Sequence, residues 1–150
     1  MKLTRWLQRV WRRASGGSTA RELTPQAAIG RWGEHEAEKF LKRAGFKLLG
    51  RRVRPNRRDE IDLVMRRGRV IAFIEVKTRS SERYGRPATA IDRRKRHALR
   101  RAAAAWLRRA KYPAAAYRFD VVEVISEPES EQPTIRHLEN AFPFNRRFPV

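Results

Sequence analysis

The stretch Glu60-Ile61-Asp62-Leu63-Val64-Met65-Arg66-Arg67-Gly68-Arg69-Val70-Ile71-Ala72-Phe73-Ile74-Glu75-Val76-Lys77-Thr78 holds two aliphatic, β-branched runs separated by a basic segment with a central glycine. That pattern predicts strands over 60–65 and 70–78 joined by a hairpin turn, with Gly68 where positive φ is needed. Side chains alternate across a strand, so Glu75 and Lys77 project from one sheet face. With Arg67-Gly68 as the two turn residues, Met65 opposes Val70, Asp62 opposes Phe73 and Glu60 opposes Glu75. Opposed residues share a face, so Asp62 joins Glu75 and Lys77 as a diagonal neighbour of Glu75, roughly 5–8 Å away between backbones. A four-residue loop keeps this parity; an odd loop destroys it.

Two carboxylates on an otherwise apolar strand pair repel each other and lose hydration, a costly arrangement unless a cation or protons compensate. A hard divalent ion, Mg²⁺ or Mn²⁺, takes oxygen ligands and keeps coordination positions for water and phosphate. Such an ion polarises a phosphate and lowers the pKa of a bound water. Lys77 beside it can orient or deprotonate the attacking water, or stabilise charge building on the phosphate. The same spacing also suits a plain structural ion pair between Lys77 and one carboxylate.

Working outward, a helix over 25–44 precedes the hairpin, with Thr24 as cap, Pro25 at its first position and Gly45 as its stop. Ile29, Trp32, Ala37, Phe40, Leu41 and Ala44 form its apolar stripe. Glu34 lies beside that stripe, either as a rim residue or pointing into a site. A short strand over 46–49 follows, then a loop carrying Arg51, Arg52, Arg54, Arg57 and Arg58 around Pro55-Asn56. After the hairpin comes a second long helix over 89–109, with Ile91, Lys95, Ala98, Leu99, Ala102 and Trp106 on one face and Arg93, Arg94 and many other arginines over the rest. A strand over 118–125, an acidic loop and a last strand over 134–138 complete the order, and the ending from Phe142 reads as irregular. The plan is mixed α/β.

The whole chain has 150 residues, 36 of them Lys or Arg against 16 Asp or Glu, for a net charge of +20. At 41% hydrophobic it is no disordered basic tail, since it can bury a core. No stretch approaches the roughly 20 apolar residues that span a bilayer, and the absence of cysteine excludes disulfides and thiolate metal sites. These features fit a cytoplasmic protein. The excess charge calls for a polyanion, with DNA or RNA first because regularly spaced phosphates reward Lys and Arg through counterion release. Residues 1–23 read as a basic amphipathic arm and linker, with membrane-surface contact through 1–14 as a further option. Residues 24–142 read as the domain and 143–150 as a tail. Arginines interrupt any apolar core region near the N-terminus, so a secretory signal is not expected.

Asp62 followed after thirteen residues by Glu75-Val76-Lys77 resembles the core of the PD-(D/E)xK nuclease superfamily. More closely, Gly33-Glu34, Glu60-Ile61-Asp62-Leu63, Phe73 to Arg79, Tyr84-Gly85, Lys95, Arg118-Phe119-Asp120-Val121 and His137 to Phe142 are similar to the YraN family, small bacterial proteins of predicted endonuclease type that resemble archaeal Holliday-junction resolvases. The resemblance implies a restriction-endonuclease-like αβββαβ core, a mixed central sheet flanked by helices. It implies Asp62 and Glu75 as metal ligands, the Val76 carbonyl as a third, Lys77 as the catalytic lysine and Glu34 as an acidic residue approaching the same centre. It also raises a homodimer, because resolvases of this fold make two cuts with two sites. The family usually has Gly before Glu-Ile-Asp, whereas this chain has Asp59, whose extra carboxylate can alter metal or substrate approach.

Lys95 and Arg79 are candidate phosphate contacts near the scissile group, the alternative for each being solvated charge. Arg118-Phe119-Asp120 predicts an internal ion pair or hydrogen bond, and His137 a structural role. His35 and Glu36 make no zinc site with Glu34, because adjacent helix positions do not converge. The leading expectation is a Mg²⁺-dependent DNA nuclease that selects by shape, with backbone contacts from the 51–58 arginines and the second helix. Its rivals are a non-catalytic nucleic-acid-binding module and an accessory protein acting through the arm.

Overall fold

Thr24 begins the first helix, α1 (Pro25–Arg43), by accepting a hydrogen bond from the Ala27 N–H at 3.2 Å. Gly45, at φ +88°, ends it one residue past the cap Ala44. The computed structural model describes residues 23–79, 91–111, 116–126 and 131–144. The expected arm up to residue 22, Tyr84 and the end of the tail lie outside the described residues.

Five strands follow α1: β1 (Lys47–Val53), β2 (Ile61–Arg67), β3 (Val70–Arg79), then after a second helix, α2 (Arg93–Ala110), β4 (Ala116–Ile125) and β5 (Thr134–Phe142). They form one sheet in chain order, β1-β2-β3-β4-β5. β3 and β4 run parallel with α2 in the connection between them, while the other neighbours are antiparallel. Ile71, Phe73, Phe119 and Val121 face Leu99, Ala102, Ala103 and Leu107 of α2 in one apolar cluster. On the other face Leu63, Met65, Ala72, Ile74, Val122 and Val124 pack with Ala37 and Leu41 of α1. The strands β3 and β4 are therefore covered on both sides, as a parallel pair requires. No helix of the described residues is long and apolar enough to cross a membrane. The mixed sheet flanked by two helices is the α/β architecture expected, compatible with a restriction-endonuclease-like core.

The hairpin turn is Gly68-Arg69, with Gly68 at φ +60° and Arg67 paired with Val70, and not Arg67-Gly68 as the spacing suggested. Positive φ belongs at the first of the two turn residues here, so the glycine sets the turn's start. The register moves by two, which preserves parity. β1 extends to Val53 instead of stopping at 49, because a shift between Leu48 and Gly50 absorbs an extra residue and lets pairing with β2 resume. Arg51 and Arg52 are consequently strand residues. The second helix starts at Arg93, capped by the Asp92 side chain, later than the expected 89. β5 runs on through Phe142, and Ala44 is exposed, outside the stripe assigned to it.

Gly33 allows α1 to lie close against β3. A Cβ built there would sit 1.9 Å from Thr78 Oγ1 and 3.0 Å from Thr78 Cβ. Thr78 is stiff at χ1, so the clash cannot be relieved cheaply. Gly33→Ala is expected to destabilise the protein by about 1–3 kcal/mol in urea unfolding, and adding Thr78→Ala should recover most of that loss.

Candidate active site

β2 and β3 present the candidate residues on the face turned toward α2. Leu63–Ile74 is the last pair before the site, and the same parity carries Asp62 and Glu75, one position beyond it, onto one face. Asp62 Oδ2 accepts the Val76 N–H at 2.8 Å, which fixes its carboxylate against β3. Glu75 is buried. Its Oε1 lies 3.1 Å from Lys77 Nζ, two residues along the strand, and its Oε2 lies 3.1 Å from Lys95 Nζ on α2. That Oε2 contact is an ion pair without a hydrogen bond in line, leaving the buried oxygen unsatisfied as an acceptor.

The electrostatics follow from burial. Loss of hydration, reinforced by Glu75, pushes the Asp62 carboxyl up to about 7, against the pull of the Val76 N–H. Glu34 is raised in the same sense, chiefly by burial; Arg52 opposes the rise, while Glu60 and Glu75 add to it. For Lys95, burial favours the neutral form, but Glu75 and Asp62 outweigh it and raise the ammonium's pKa.

Glu34 reaches this region from α1, on the opposite side of the sheet. It influences Asp62 and Glu75 through space, while Arg52 Nη1 stands 3.9 Å from its carboxylate. Among the described residues no three His, Asp or Glu side chains converge as a metal cage. The pair that the strands bring together is thus Asp62 and Glu75, with Glu34 as an outer acid. A hard cation of the Mg²⁺ type fits that donor set, because it commonly takes one or two carboxylates and completes its shell with water and phosphate. Glu75 Oε2 is buried without a hydrogen bond in line, and burial beside Glu75 raises the Asp62 carboxyl, so the pair has acceptor capacity that a cation could use.

The arginines divide into two groups. Arg51 makes a two-bond contact with buried Glu38, clasping β1 to α1, and these bonds with Lys42 hold the Glu38 carboxyl down to about 2. Arg52 and Arg54 both bind Glu60, and Arg52 does so with φ +46°. Arg79 contacts Glu123 at 3.5 Å. Arg57, Arg58, Arg93 and Arg94 are exposed, the last two in the first turn of α2. Further along α2, Arg100 Nε donates to the Pro143 carbonyl and Arg101 grips Asp59 through two bonds of 2.7 and 2.6 Å. The helix surface is therefore less freely cationic than its composition implies.

Asp59 does not crowd the site. It is buried, keeps ordinary negative φ, and Arg101 above all holds its carboxyl below the usual range. Asn56 shapes the same loop by accepting the N–H groups of Arg58 and Asp59. On the far face Asp120 accepts from Arg118 and the Asn140 N–H and lies 2.7 Å from His137 Nε2, the internal network expected of that segment. Sequence reasoning missed the Lys95–Glu75 and Arg101–Asp59 contacts. The signal available for the first was Asp92-Arg93-Arg94-Lys95, a cap that fixes where the helix starts and so where Lys95 points.

The five-stranded mixed sheet with its two helices is an α/β fold compatible with a restriction-endonuclease-like core, and it carries paired strand carboxylates with an adjoining lysine. The sequence profile described as "Uncharacterised protein family UPF0102" matches residues 33–124, and the chain belongs to that family, the YraN family. It is similar to a UPF0102 protein of Trichlorobacter lovleyi, 41% identical over 77% of this chain and 90% of the relative. A UPF0102 protein of Caldicellulosiruptor saccharolyticus is 40% identical over 76% of this chain and 96% of its own. One from Frankia alni is 42% identical over 77% and 94% respectively.

Proposed function

We propose that the protein is a metal-dependent nuclease that hydrolyses phosphodiester bonds in DNA, with branched or junction DNA among its substrates. The observation that carries this reading is the juxtaposition of Asp62 and Glu75 across the hairpin, with Lys77 on the same face and a buried Glu75 oxygen lacking a hydrogen bond. Mg²⁺ or Mn²⁺ held by Asp62 and Glu75, with the Val76 carbonyl as a further ligand, would polarise the scissile phosphate and lower the pKa of a nucleophilic water.

The chain's own residues supply the remainder. Lys77, held by Glu75, offers an ammonium at the mouth of the pair to orient the attacking water and to balance charge that grows on the phosphate oxygens. Glu34 is a nearby acid whose carboxyl is raised above its ordinary value by burial, which marks it as a candidate to take part in the site. Arg93 and Arg94 open α2 on the side that carries Lys95, and with Arg57 and Arg58 they give the backbone a cationic track. Arg51, Arg52, Arg54 and Arg79 serve chiefly to fix strands and acids. None of these groups forms a base-reading element, so selection rests on DNA shape.

The test is incubation of the purified full chain with plasmid, linear duplex and four-way-junction DNA, with Mg²⁺, with Mn²⁺ and with EDTA. Nicking or junction cleavage that requires the metal is expected. No cleavage of any of these, with metal binding demonstrated by calorimetry, would leave the protein a nucleic-acid-binding module.

A further inference from the structure

We propose that Lys95 is a displaceable counter-ion that keeps a divalent cation off Glu75 until a nucleic-acid phosphate draws its ammonium away. This rests on the metal-dependent reading of the site and assigns it a regulation. Both oxygens of buried Glu75 face an ammonium at 3.1 Å, but the two lysines are held differently. Lys77 shares a strand with Glu75, two residues along, so the strand itself keeps the two side chains on one face. Lys95 comes from a separate element, α2, and meets Oε2 off the hydrogen-bond line. Its position is set from behind: Asp92 caps its backbone N–H at 2.7 Å, and Arg101 anchors the helix to Asp59.

A dication and an ammonium cannot both occupy the approach to one carboxylate oxygen, since their repulsion at contact in a poorly solvated site is large. Glu75, being buried, needs a positive partner at all times. Without DNA, Lys95 fills that role. A phosphodiester arriving beside Arg93 and Arg94 offers the ammonium a new anionic partner and leaves Glu75 in need of a cation. Binding of metal and of DNA is therefore mutually reinforcing, and the linkage is reciprocal. Lys95 is a positioning residue in this scheme.

The experiment measures Mn²⁺ affinity by electron paramagnetic resonance for wild type, Lys95→Met, Lys95→Gln and Glu75→Gln, with and without a phosphorothioate duplex that resists cleavage. Without DNA, the Lys95 variants are expected to bind Mn²⁺ about tenfold more tightly than wild type, and the duplex is expected to tighten wild type about tenfold but the variants by less than about threefold. Circular dichroism verifies that each variant is folded. Equal or weaker Mn²⁺ binding by both folded Lys95 variants, with wild-type binding abolished by Glu75→Gln, overturns the counter-ion role and leaves the metal site standing. Mn²⁺ binding that Glu75→Gln does not affect overturns the metal reading itself.

Discussion

Glu75→Ala and Lys77→Ala will each lower the rate of metal-dependent DNA cleavage on the order of 10³-fold or more, while DNA binding survives. Removing Glu75 takes away the proposed cation ligand and also releases two ammoniums, those of Lys77 and Lys95, from their shared partner. Affinity for DNA in a filter-binding or anisotropy assay should therefore hold or rise slightly in Glu75→Ala. Lys77→Ala removes one positive charge from the mouth of the site and leaves Lys95 to neutralise Glu75, so the fold should be retained. A cleavage rate within a few-fold of wild type for either variant would remove the pair from the chemistry.

The second large effect concerns Asp62. Its carboxyl titrates at about 7 in the folded protein, against 3.8 for the ordinary group, because burial and Glu75 disfavour the charge. The folded state thus holds a proton that the unfolded chain has already lost between about pH 4 and 7. In EDTA, stability should fall as pH rises through that window and level off above it. Asp62→Asn keeps an oxygen for the Val76 N–H and removes the unfavourable charge, so at pH 8 in EDTA it should be more stable than wild type by roughly 1–3 kcal/mol. The same substitution should abolish cleavage. In wild type at subsaturating metal the rate should climb as pH rises toward about 7, where Asp62 loses the proton that competes with a cation for the free site; saturating metal should shift that rise to lower pH. Urea unfolding and a pH–rate profile measure the two consequences separately.

Much of the fold was legible because its elements announce themselves locally. Thr24-Pro25 and Gly45 bracket α1, and the alternation on either side of Gly68 marks a hairpin. The parity of that hairpin placed Asp62, Glu75 and Lys77 on one face even though the turn was set one residue too early. What escaped were features that depend on partners distant in the chain. The second half of β1 looked like a loop because Gly50-Arg51-Arg52 lacks an apolar pattern, yet Arg51 is held by Glu38 and the strand is paired edge-on to β2. Asp59 looked like an intruder near the site, but Arg101, 42 residues on, turns it aside. The arginines read as one DNA-facing population were separated only by knowing which acid each one meets.

The order in which β3 acquires its neighbours bears on how the molecule is made. Its antiparallel partner β2 sits across a two-residue turn, whereas its parallel partner β4 lies beyond the whole of α2. Short-range hairpins close in microseconds and crossover pairings much later. During synthesis, Asp62 and Glu75 would meet while the helix bearing Lys95 is still undocked, so the nascent domain passes through a stage in which Glu75 has Lys77 but not yet Lys95 beside it.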